Sequence, residues 1–136
     1  MGNVRVARVT AVVAALLLSG GCAAQRVGHA SGAELQAAGV ESVIVSEQSA
    51  GALARCFESQ APLLPMSSLR YEPDLQQTTY RLAGYGLWLE EASFRDLPAG
   101  GAEVRFRHAG NYDLRWHENV ERDRLEPLRR CVAGAA

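Results

Sequence analysis

The chain has 136 residues, a formal charge of −1 and an apolar fraction of 48%. That length holds one domain of ordinary size, and the near-neutral charge excludes the basic excess of a nucleic-acid binder. Its three cysteines contain no CxxC pair, which excludes the common redox and zinc-ribbon spacings.

The N-terminus reads as an address. Residues 1–8 carry Arg5 and Arg8 and no acid, and residues 9–18 are apolar except for Thr10. Ten helical residues span about 15 Å, half of the roughly 30 Å of a hydrocarbon core. A basic stretch before so short an apolar run is the pattern of a secretory signal, not of a membrane-spanning helix. The run also lacks the polar stripe of a core helix. It ends in Leu18-Ser19-Gly20-Gly21-Cys22, with small residues directly before the cysteine.

Those residues resemble the lipobox of bacterial lipoproteins, with Ser19 standing where that family usually has Leu. The resemblance covers residues 1–22. It implies that the Cys22 thiol receives a diacylglyceryl group, that cleavage precedes Cys22, and that the new amine is then acylated. Ala23, where retained lipoproteins commonly carry Asp, implies passage to the periplasmic face of the outer membrane. Such an anchor is strong, because each buried CH₂ contributes about 0.8 kcal/mol. Ordinary cleavage near Ala23-Ala24 is the alternative.

Beyond the signal, the sequence divides into a spacer, 22–39, and one domain, 40–133. The spacer is rich in Ala, Gly and Ser with little apolar periodicity, and is expected to be flexible. His29 within it is expected to be solvated. Residues 40–45 are β-branched and predict a strand. Ser46 is placed to cap a helix running to about Gln60, in which Ala50, Leu53, Ala54 and Phe57 form one apolar face. Pro62 and Pro65 close it. Four strands are then expected, over 67–72, 79–82, 87–94 and 102–108. In the third, Leu87, Leu89, Ala92 and Phe94 cannot share a face at period two, which predicts a bulge at Glu90-Glu91. The fourth alternates cleanly, with Ala102, Val104 and Phe106 inward. A last helix from Tyr112 to about Arg130 follows, capped by Asn111, with Pro127 kinking or breaking it.

The expected fold class is α+β: an antiparallel sheet of four to five strands with two helices on one face, in the order β-α-β-β-β-β-α. This order resembles the helix-grip arrangement of START-like domains, which small periplasmic accessory lipoproteins of outer-membrane assembly also use. A shared fold does not carry a function.

Few residues suggest chemistry. With Cys22 taken by lipid, Cys56 and Cys131 are two thiols at helix ends in an oxidising compartment, and a structural disulfide is expected between them. Free thiols or an intermolecular bridge are the alternatives. His108, Asp113 and His117 have the spacing of a facial metal site, but no neighbouring residue is evident to orient them, and a solvated surface is expected with no metal or cofactor. Glu90 and Glu91, adjacent on a strand, point to opposite faces, so without the bulge they could not converge as paired carboxylates. Ser46, Ser67 and Ser68 lack a nucleophile-elbow context. Arg81, Arg95, Arg105 and Arg107 form a stripe that Glu90, Glu91 and Glu103 are near enough to neutralise. Trp88 is expected to face outward, beside Tyr80 or Tyr85, as an aromatic partner surface.

The expected function is that of a small non-catalytic lipoprotein, tethered to the membrane through its N-terminal lipid and binding another envelope protein or peptidoglycan. The alternative is a lipid-like ligand in a helix-grip cavity, and a hydrolase comes third.

Overall fold

The computed structural model describes residues 27–111 and 114–134. Cys22 and the signal segment lie outside these residues, as do Tyr112 and Asp113. The sheet has five strands: β1 (Val40–Ser46), β2 (Ser67–Glu72), β3 (Gln77–Gly84), β4 (Leu87–Asp96) and β5 (Ala102–His108). Their spatial order is β1-β5-β4-β3-β2, with every neighbouring pair antiparallel. The fold is thus α+β with the expected sheet and, apart from one added helix, the expected element order.

Strand alternation sorts the side chains. One rung carries Leu69, Tyr80, Ala92, Phe106 and Ser42, and the next rung on the same face carries Tyr71, Thr78, Phe94, Val104 and Ile44. Helix α2 (Ala50–Gln60) covers this face with Ala50, Leu53, Ala54 and Phe57, the four residues its periodicity singles out. The Phe57 ring meets Tyr80 edge-on at 5.3 Å and Phe94 at 5.7 Å. The cap of α2 is Ser49, whose hydroxyl accepts from the Ala52 amide, and not Ser46. Ser46 is held in the sheet opposite Ala102 and turns its hydroxyl to the Gln48 amide, so the helix starts later than the sequence suggests.

The C-terminal helix is one run in three parts: α3 (Leu114–Val120), a π-helical turn (Glu121–Leu125) and α4 (Glu126–Val132). Pro127 has no N–H to offer the Asp123 carbonyl four residues back. That carbonyl accepts from Arg124 Nη1 at 3.1 Å, and the wider π turn lets the helix continue past the proline. Helix α4 packs on α2, and Cys56 and Cys131 join them in a disulfide with Cα atoms 5.8 Å apart. The bridge closes a separation of 75 residues.

The segment read as a flexible spacer is folded from Val27 onward. His29 pairs antiparallel with Trp88, through amide-to-carbonyl bonds of 2.9 and 2.7 Å. Ser31 then caps α1 (Gly32–Ala38), whose Leu35 is fully buried. A Cβ on Gly32 would lie 3.1 Å from the Trp88 ring, so glycine lets the helix close on the indole. Asn111, read as a helix cap, grips Gly28: its Oδ1 accepts from the Gly28 amide and its Nδ2 donates to the Gly28 carbonyl.

Candidate functional site

The residues expected to form an aromatic surface are not brought together. Tyr80 is fully buried on the helix-covered face. Tyr85 projects into solvent, 95% exposed, from the two-residue turn Tyr85-Gly86, in which both residues have positive φ. Such a turn matches the strand twist of a tight hairpin. Trp88 does lie on the outward sheet face, but it is half-buried: Gly32 covers one side and the Arg81 guanidinium stacks 5.3 Å from the ring.

Beside Tyr80 an acid also turns inward. Leu82 pairs with Glu90 whereas Ala83 pairs with Trp88, so Leu89 is the extra residue of a β-bulge. The bulge sits one residue before the expected place. Because it falls before Glu90, Glu90 lies on the covered face and Glu91 on the outer one, and the two carboxylates diverge.

Glu90 anchors the most enclosed polar cluster among the described residues. The Tyr80 hydroxyl donates to Glu90 Oε2 at 2.8 Å. Arg124 Nε, on the π turn, donates to the same oxygen at 2.8 Å and lies 3.1 Å from the Tyr80 oxygen. The side chains of Arg124 and Glu90 are only 4% and 2% exposed. Arg124 Nη1 also donates to the Pro62 carbonyl at 3.0 Å, tying the loop after α2 to the helix. Burial, reinforced by the Glu90 charge, pushes the Tyr80 phenol far above its ordinary range. Burial alone would lower the Arg124 guanidinium, but the adjacent Glu90 and Tyr80 outweigh it and hold it above its usual value. Both donors therefore keep their protons at any physiological pH. Their geometry fastens helix to sheet.

Sequence reading missed this cluster by placing Glu90 among the acids of the surface stripe. A signal was available: Val120, Arg124 and Leu128 share a helical face at i, i+4 spacing, which points Arg124 inward.

On the outer face the arginine stripe is neutralised, though by a different set of acids. Arg81 pairs with Glu72 and Glu91, Arg95 with Glu103, Arg105 with Glu103 and Glu41, and Arg107 with Glu41. Gln36 of α1 donates to Glu91 at 3.3 Å, which helps to seat that helix on this face. His108, expected at a solvated surface, is buried, with its ring 5.5 Å from that of His117. Burial first, then the neighbouring His117, lower its pKa. Asp113, the third member of that trio, lies outside the described residues, and no group of three metal-ligating side chains occurs among them.

A depression lies at the other end of the covered face, where α2 begins only at Ala50. It is an open cleft of about 760 Å³ between Tyr71, Leu75, Thr78, Phe94 and Leu97. No family model, curated protein or solved structure matches this chain.

Proposed function

We propose that the protein is a non-catalytic lipoprotein of the cell envelope, anchored through acylated Cys22 at the periplasmic face of the outer membrane and binding another envelope component. The observation that carries this reading is the Cys56–Cys131 bridge. Structural disulfides belong to oxidising compartments, and the bridge accords with the basic and apolar leader and with the small residues before Cys22. A binding role is supported by exposed apolar side chains, among them Leu64, Met66, Tyr71 and Leu75 before, within and after β2 and Val40, Val43 and Val45 on β1. The polar cluster inside the domain is committed to holding helix and sheet together.

A lipid-like ligand between sheet and helices is the less favoured reading. Phe57, Tyr80, Phe94 and Phe106 fill that space and would have to move. Photo-crosslinkers at exposed positions in living cells test the proposal. A discrete adduct in the outer-membrane fraction is expected, and adduct-free protein at every position contradicts it.

A further inference from the structure

We infer that β2 is an acceptor edge for an extended segment of a partner protein in which apolar and acidic residues alternate. This names the partner chemistry of the binding role proposed above and rests on that reading.

Three observations converge on the edge. The strand order leaves β2 outermost, and no strand among the described residues pairs with its outer side. Its row of backbone donors and acceptors is a template for one more strand. At its C-terminal end stand Tyr71 and Leu75, 63% and 57% exposed, while the exposed Val40, Val43 and Val45 lie on the opposite edge strand. Tyr71 and Leu75 also wall the open cleft, whose floor is Phe94.

The charges select what such a strand would carry. Arg70 projects from the opposite face to Tyr71, is exposed, and has no acidic partner among the described residues. Glu72, the other charge on β2, is paired with Arg81. In an added strand alternate side chains point to opposite faces. One set would therefore lie against Tyr71 at the rim of the cleft, which favours Leu or Phe, and the other would meet Arg70, which favours Asp or Glu. The far edge of the sheet offers no such cation, because Arg105 and Arg107 are engaged by Glu41.

The test uses the full chain with its disulfide intact and a fluorescein-labelled heptapeptide, Ser-Glu-Leu-Glu-Phe-Glu-Ser. Saturable binding is expected, with slowed amide exchange over Ser67–Glu72. Arg70→Glu should weaken it at least tenfold and Tyr71→Ser at least fivefold, while Val45→Glu on β1 should change it less than twofold. Replacing the three Glu of the peptide with Lys should also cost at least tenfold. Absent binding, equal affinity in a folded Arg70→Glu variant, protection on β1 instead, or a β2-to-β2 dimer that excludes the peptide would each overturn the inference. Crosslinkers at positions 71 and 45 in cells separate it from the broader reading. Adducts at 45 alone would sink the β2 edge and leave the partner-binding role standing, whereas adducts at neither would count against both.

Discussion

Arg124 Nε and Glu90 Oε2 meet at 2.8 Å with both side chains almost wholly withdrawn from water, and the Tyr80 hydroxyl closes the triangle. Removing one member of such a pair strands a charge in the core. Arg124→Leu or Glu90→Leu should therefore destabilise the fold by about 3–5 kcal/mol, read from urea denaturation. The double replacement should recover much of that loss. Tyr80→Phe, which removes one bond to a charged acceptor, should cost about 1.5–3 kcal/mol.

The disulfide between α2 and α4 closes a separation of 75 residues, for which chain entropy in the unfolded state gives about 4 kcal/mol. Reduction, or Cys131→Ser, should lower unfolding stability by about 2–5 kcal/mol. Intact protein should show neither Cys56 nor Cys131 to an alkylating reagent. Two reactive thiols there would refute the bridge.

Helix α1 buries one apolar side chain, Leu35, and is also held by Gln36 on Glu91 and by the Asn111 grip on Gly28. Leu35→Ala should cost about 2–5 kcal/mol, as for other large-to-small core changes. It should also speed exchange of the Gly39 amide, which donates to the Leu35 carbonyl at 2.8 Å. A free tether would show neither effect.

His108 predicts the direction of a pH dependence. Burial and His117 hold its folded pKa below the ordinary 6.5. The unfolded chain thus binds more protons than the native one between those two values, and stability falls as pH drops through that window. Well above pH 6.5 the group is neutral in both states and contributes no slope. His108→Gln should flatten the fall in urea midpoint on acidification from pH 7, and an unchanged slope would remove His108 as its source.

Much of this architecture was legible in the residues. The alternation of Ala102, Val104 and Phe106 and the helical spacing of Leu53, Ala54 and Phe57 each reflect a single buried face, which periodicity reports directly. The parity change near Glu90 announced the bulge. Periodicity was silent on α1, because a seven-residue helix that buries only Leu35 leaves no repeating signal. It also misjudged Glu90 and Arg124, since composition assigns charged residues to the surface. Only the register that sets Glu90 beside Leu82, with Arg124 above it, shows that the two satisfy each other.

Intact mass and N-terminal sequencing of the protein extracted from the outer-membrane fraction decide whether Cys22 is the lipid anchor. A mature chain beginning at Cys22 is expected, carrying thioether-linked diacylglycerol and an acylated amine. Cys22→Ser should remove the lipid mass and the membrane retention together. A soluble mature chain beginning near Ala24, without added lipid, would contradict it.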